Sequence, residues 1–204
     1  MIIIIDYGIG NLRAISNMLS RLGIKNLISR SKEDIKAASG IILPGNGHYD
    51  ACLKAFRSFE ILPEIEKAVL MNNVPFLGIC VGAQMLGHTS EEGQEIGLGW
   101  LDMDVKKLPA TSDFKVPNMG WRYVEQTHRH ANSESLIKLD SRFYFTHSYY
   151  MRPNDDAITF LESDHGFRFA AAVRKDNIIG VQFHPEKSHG FGKYFLSSFE
   201  GICK

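Results

Sequence analysis

The run Pro75-Phe76-Leu77-Gly78-Ile79-Cys80-Val81-Gly82-Ala83-Gln84 sets an apolar segment directly against Gly-Ile-Cys-Val-Gly. That is the pattern of a buried strand turning sharply into a helix with a nucleophile at the bend. Glycines two positions before and after the cysteine are needed because the tight turn has no space for side chains. Cys80 is therefore expected to project at the mouth of a sheet. There the unpaired N–H groups of a helix start favour thiolate over thiol.

Working outward toward the N-terminus, Ile2 to Ile5 is an unbroken β-branched run, the mark of a strand covered on both faces. Leu12, Ile15, Leu19 and Leu22 then recur at helical spacing from Asn11, with Gly23 placed to end the helix. Lys25 to Ser29 reads as a second strand. Ser31 to Ala38 opens with a Ser-x-x-Asp cap and reads as a short helix, and Gly40 to Leu43 as a third strand. Two helical stretches follow Pro44-Gly45-Asn46-Gly47, the second opening at Pro63, carrying Ile65, Ala68 and Val69, and stopping at Asn72-Asn73. The alternation predicts an α/β fold: a doubly wound, mostly parallel sheet with helices on both faces. In such sheets ligands bind beyond the carboxyl ends of the strands, where Asp6-Tyr7-Gly8, the Pro44 to Gly47 turn and Cys80 all fall.

From about Gly97 the texture changes to Trp, Phe, Tyr and Val segments broken by Asn, Asp, Pro and Gly, which predicts an attached antiparallel β-rich portion. Phe143 to Tyr150 reads as one strand with alternating inward rings. A last strand, Ile178 to Phe183, leads into His184-Pro185-Glu186, and a helix near Gly192 to Ile202 closes the chain. Proline holds the residue before it extended, and in extended chain i and i+2 share a side, so Glu186 can reach the imidazole of His184. A carboxylate that orients an imidazole, which in turn exchanges a proton with a thiol, is the logic of a catalytic triad. Taken singly, a buried cysteine is ordinarily a small core hydrophobe and a lone histidine ordinarily structural. The conjunction of elbow glycines, two apolar strands and the His-Pro-Glu run points to Cys80, His184 and Glu186 as nucleophile, base and orienter. Backbone N–H groups of the Pro44 to Gly47 turn are candidates to face an oxyanion formed at Cys80.

Composition narrows the rest. The chain has 204 residues, 44% of them apolar, enough for one domain over residues 1–204 with a sizeable core. Lys+Arg and Asp+Glu both number 23, so no overall field recommends nucleic acid or an acidic membrane as partner. Three dispersed cysteines, Cys52, Cys80 and Cys203, argue against a disulfide framework and a structural zinc site and suit a reducing cytoplasm. The N-terminal apolar run is too short for a signal peptide, and no stretch is long enough to span a bilayer. Asp6-Tyr7-Gly8-Ile9-Gly10-Asn11 lacks the third glycine and the lysine of a phosphate loop and reads as a structural turn. His128-x-His130 and the His184 to His189 segment lack metal-site spacing, so no metal is expected.

Asp6-Tyr7-Gly8-Ile9-Gly10-Asn11-Leu12, Leu43-Pro44-Gly45-x-Gly47, Gly78 to Gln84, Ser90-Glu91-Glu92-Gly93, Met119-Gly120-Trp121, His147-Ser148-Tyr149 and Gly180 to Ser188 together resemble the triad (class I) glutamine amidotransferases. Within that family they are similar to the glutaminase subunits of imidazole glycerol phosphate synthases, over nearly the whole chain. The resemblance implies hydrolysis of L-glutamine through a thioester on Cys80, with no cofactor. It places oxyanion donors at the backbone of Val81, Asn46 and Gly47, and glutamine contacts at Gln84, Glu92, Ser148 and Tyr149. It also implies transfer of ammonia to a (β/α)8 cyclase in a heterodimer, across a face containing Asn118, Met119, Trp121 and Tyr144. Asn46 stands where the family usually has valine, and Asn118 where histidine is common. With Ser188 to Gly192 these resemble paralogues that feed a sugar-modifying amidotransferase. A free-standing cysteine hydrolase of γ-glutamyl or peptide substrates would share the elbow and the His-Pro-Glu run but need no docking face. A non-catalytic binding module would not be expected to keep all three of Cys80, His184 and Glu186.

Overall fold

The computed structural model describes residues 1–110, 114–130 and 136–203. Its first half follows the hydropathy rhythm: β1 (Ile2–Ile5), α1 (Leu12–Arg21), β2 (Asn26–Ser29), α2 (Lys32–Lys36), β3 (Gly40–Gly45), α3 (Tyr49–Ser58), α4 (Leu62–Glu66), β4 (Phe76–Cys80) and α5 (Val81–Gln84). Strands β1, β3 and β4 are buried along their whole length, as continuous apolar strands in a covered parallel sheet must be. On α1 the residues Ile15 and Leu19 face inward, each worth roughly 1.5–3 kcal/mol of burial. The helix ends where Gly23, at φ +73°, lets Ile24 N–H return to the Leu19 carbonyl at 3.0 Å. Ser31 caps α2 by accepting from Asp34 N–H at 3.3 Å.

The second half supplies β5 (Met103–Lys107), β6 (Asn118–Gln126), β7 (Arg142–His147), β8 (Tyr149–Pro153), β9 (Thr159–Asp164), β10 (Arg168–Lys175), β11 (Ile178–Val181) and α6 (His189–Gly201). A nine-stranded sheet runs in the order β2-β1-β3-β4-β11-β10-β9-β6-β7. Five strands, β2, β1, β3, β4 and β11, are parallel; from β10 onward the pairings are antiparallel. The β-rich portion therefore prolongs the α/β sheet, with β11 as the joint that brings the chain's last strand beside β4. Helix α1 packs with α6, and α2 with α4.

Three local readings change. The aromatic run from Phe143 breaks at Ser148: β7 stays in the large sheet, whereas β8 pairs with β5 in a separate two-stranded sheet. At the break the carbonyl of Tyr149 turns inward and accepts from His147 Nδ1 at 2.9 Å and Gln84 Nε2 at 3.0 Å, while the β6 partner of β7 begins at Asn118, opposite His147. The helix opening at Pro63 widens into a π-helical turn at Lys67–Met71, closed by Asn72 N–H on the Lys67 carbonyl at 3.1 Å. Asn177 Nδ2 ties that turn to the sheet through the carbonyls of Val69 (2.9 Å) and Val74 (2.8 Å). Finally, α6 begins at His189, ahead of the expected start near Gly192.

Candidate active site

Cys80 ends β4 in a backbone conformation, φ 55° and ψ −115°, that L-residues seldom adopt, and its side chain is 4% exposed. The flanking glycine is dictated by the neighbouring strand as much as by the turn. A Cβ on Gly82 would fall on the Leu43 carbonyl oxygen, and one on Gly45, which pairs with Cys80, would fall on Gly82 N. The elbow is thus pressed against the end of β3.

His184 follows β11 in extended conformation, and Pro185 opens a short 3-10 turn, Pro185–Lys187. Glu186 reaches the imidazole through this turn, not along extended chain: His184 Nδ1 and Glu186 Oε1 lie 2.8 Å apart, with the two side chains 5% and 1% exposed. The backbone around the pair is fastened. His184 N–H donates to the Tyr144 carbonyl at 2.9 Å, and Ser188 Oγ donates to the His184 carbonyl at 2.6 Å while accepting from Tyr144 N–H at 3.0 Å. Burial alone would lower the imidazole pKa. Hydrogen bonds with Cys80 and Glu186, and electrostatic attraction to the same two groups, outweigh burial and raise it to about 10.

A cavity of about 350 Å³ opens over this pair. Cys80, His184, Val81, Asn46, Gly47, Gln84, Glu92, Ser148 and Tyr149 all line it, brought from the ends of β3, β4 and β11, from the segment between α5 and β5, and from the β7–β8 break. Glu186 stands behind the imidazole, outside the lining. Gln84 is 2% exposed, and its amide nitrogen is already committed to the Tyr149 carbonyl and to Gln182 Oε1, each at 3.0 Å. Only its oxygen is left for a guest. Glu92 is held by Tyr49 N–H, which donates to its Oε2 at 2.9 Å.

Away from the cavity lining, Met119 (58% exposed) and Trp121 (40%) lie on the wet face of β6, with Trp121 against Tyr144 and stacked on His189. Asn118 does not belong to that face. It is fully buried, its Nδ2 3.0 Å from His147 Nε2, so it cannot itself touch a partner. Among the described residues no group of His, Cys, Asp and Glu could hold a metal ion.

Several residues make contacts at the site that the sequence does not announce. Gln182, fully buried, points its Nε2 at Cys80 Sγ, 3.8 Å away. The signal was available, since Gln182 lies two positions before His184 in extended chain and so shares its side. Tyr7 donates to the Pro44 carbonyl at 2.6 Å and Cys52 Sγ to the Asn46 carbonyl at 3.3 Å, fixing the turn from beneath. Burial pushes the Tyr7 hydroxyl up and the Cys52 thiol to about 11, so both remain protonated donors at neutral pH. Nothing local in the sequence marks these two contacts, because each depends on how α3 and β1 pack.

The arrangement presents a thiol, an imidazole with a buried carboxylate behind it, and a small polar chamber, which suits attack on a carbonyl carbon of a small molecule. Residues 3–199 match the family model described as glutamine amidotransferase class-I. The chain is 46% identical to imidazole glycerol phosphate synthase subunit HisH 2 of Pseudomonas aeruginosa over 98% of each chain. It is 41% identical to the protein of that name from Methanococcus maripaludis, again over 98% of each. It is 39% identical to subunit HisH of Leptospira interrogans over 99% of this chain and all of that one. Among solved structures, the fold is similar to a glutamine amidotransferase (TM-score 0.76, 19% identity, 98% of each chain). It is equally similar to a chain of PurLQS from Thermotoga maritima (TM-score 0.76, 20% identity, 100% of this chain and 98% of that one).

Proposed function

This chain belongs to the class-I glutamine amidotransferases and, within them, to the family of the HisH subunits, and from that premise we propose that it hydrolyses L-glutamine to glutamate and hands the ammonia to a synthase partner in histidine biosynthesis. The observation that carries the chemistry is the cavity in which the Cys80 thiol and the His184 imidazole meet, with Glu186 2.8 Å behind the ring.

In this reading the Cys80 thiolate attacks the side-chain carboxamide carbon of glutamine. Charge gathers on the carboxamide oxygen, and N–H groups of Val81 and of the Asn46–Gly47 turn stabilise it. His184, as imidazolium, gives a proton to the departing nitrogen, and ammonia leaves. Water, deprotonated by the same imidazole, then attacks the thioester; the carbon–sulfur bond breaks with its electron pair returning to sulfur, and glutamate is released. Glu186 holds the ring in the productive tautomer and stabilises its charge. The Glu92 carboxylate and Gln84 oxygen match the α-ammonium of glutamine, and the Ser148–Tyr149 backbone faces its α-carboxylate.

The partner is taken to be a (β/α)8 cyclase in a heterodimer, docked over Met119, Trp121 and Tyr144. This aromatic face is supported by the exposure of Met119 and Trp121. No described helix is long and apolar enough to cross a membrane; with three buried free cysteines this supports a cytoplasmic location. The test is ammonia release from glutamine by the purified chain, alone and with the cyclase and its substrate. Stimulation by the cyclase is expected. Full activity alone would indicate a free-standing hydrolase, and stimulation only by a sugar amidotransferase would move the partner to the paralogous pathway.

A further inference from the structure

The sulfur of Cys80 has a second polar neighbour besides His184, and the hydrogen bonds behind it fix its orientation. The Tyr149 carbonyl can only accept. It takes Gln84 Nε2–H at 3.0 Å, so the amide nitrogen of Gln84 is fixed on that side, and its other proton goes to Gln182 Oε1 at 3.0 Å. Turning the Gln182 amide over would set one NH2 group against another in a site where Gln84 and Gln182 are 2% and 0% exposed. The Gln182 nitrogen is therefore the end that meets Cys80 Sγ, at 3.8 Å. Its backbone N–H is tied to the Ala171 carbonyl at 2.9 Å, which holds the residue in the sheet.

We propose that Gln182 is a catalytic hydrogen-bond donor to the Cys80 sulfur, favouring its anionic form before attack and again when the sulfur leaves the thioester, and that Gln84 is the positioning residue that keeps the donor end of Gln182 on the sulfur. A neutral donor of this kind holds negative charge without adding a titratable group, and it bonds more strongly to thiolate than to thiol or thioester. It is drawn on when sulfur carries charge and released when the carbon–sulfur bond forms. The inference rests on the glutaminase reading for its catalytic meaning, though the hydrogen bond itself can be tested without glutamine.

The experiment is alkylation by iodoacetamide of the full-length chain from pH 5.5 to 9, with the modified cysteine identified by peptide mass and Cys80→Ala as the blank. In Gln182→Met, and in the isosteric Gln182→Glu, the rate at Cys80 at pH 7 is expected to fall about tenfold and the pH profile to move up by about one unit. Gln84→Met, which leaves Gln182 in place but frees its amide to turn, should move the profile in the same direction by less. Thermal unfolding of each variant identifies those that fold. Profiles superimposable on wild type in a folded Gln182 variant and in Gln84→Met overturn the inference. Displaced profiles in these variants, together with a wild-type chain that releases no ammonia with any partner, would leave the hydrogen bond standing and remove the glutaminase reading instead.

Discussion

Asn118 Nδ2 lies 3.0 Å from His147 Nε2, and the same ring's Nδ1 lies 2.9 Å from the Tyr149 carbonyl. Because that carbonyl only accepts, the ring proton sits on Nδ1 and Nε2 receives the amide of Asn118, an arrangement open only to neutral imidazole. Burial, above all, pushes the His147 pKa down to about 4, with His165, His184 and Arg122 adding to the effect against the opposing Tyr149 bond.

The sign of the resulting acid sensitivity follows. Between an unfolded value near 6.5 and the folded value of about 4, the unfolded chain binds the extra proton, so stability falls as pH drops through this window. The full effect is about 3 kcal/mol. Denaturant unfolding at pH 7, 5 and 4 should show that loss in wild type and a smaller one in His147→Gln; parallel losses in the two proteins would remove His147 as the cause. His184 acts in the opposite direction. Raised to about 10, it contributes stability that is complete below about pH 6.5 and is lost as pH rises through 10.

Glu186→Gln keeps the shape of the group but removes its charge, and its amide nitrogen would occupy the place of Oε2, which has no hydrogen-bond partner among the described residues. In the partner-activated complex kcat is expected to fall by about 10²–10⁴, with KM changed much less. Steady-state kinetics would show this directly, and an unaltered kcat would take Glu186 out of the mechanism.

On the proposed mechanism, catalysis and stability make opposing demands at Cys80. Replacement by alanine or glycine should abolish glutamine hydrolysis, but glycine relieves the φ of 55° that alanine retains. Cys80→Gly should therefore be the more stable of the two by about 1 kcal/mol in chemical denaturation. Alanine proving equal or better would mean that the bend costs the native residue nothing.

Gly82→Ala sets its new methyl on the backbone oxygen of Leu43, which can move only with β3, whereas Gly8→Ala meets open space at a φ of +82°. Expected costs are more than about 3 kcal/mol for the first and about 1 kcal/mol for the second. Comparable unfolding midpoints for the two variants would contradict the close approach of β3 and the elbow.

What could be read without coordinates divides along physical lines. Ile2 to Ile5 and Phe76 to Cys80 announce buried parallel strands because full burial forbids polar residues on either face, and Gly78, Cys80 and Gly82 mark the elbow because a tight bend dictates side-chain size. The break at Ser148 is hidden in the sequence, since β propensity runs unbroken from Phe143 to Tyr150, whereas the change of partner strand from β6 to β5 is set by tertiary packing. Asn118 was misplaced for a similar reason: a polar residue beside exposed Met119 and Trp121 gives no local sign that it turns inward to a buried imidazole. The contacts of Tyr7 and Cys52 with the Pro44 to Gly47 turn leave no mark in the sequence because what they hold is backbone, which carries no residue code.

Strand β11 lies between β4 and β10 and follows every other described strand of the sheet in chain order. A ribosome-bound polypeptide that has not yet delivered it carries Cys80 without His184 and, on the proposed mechanism, should be inert toward glutamine. On that mechanism turnover becomes a signature of finished folding, with no ammonia expected until the central gap in the sheet has been filled.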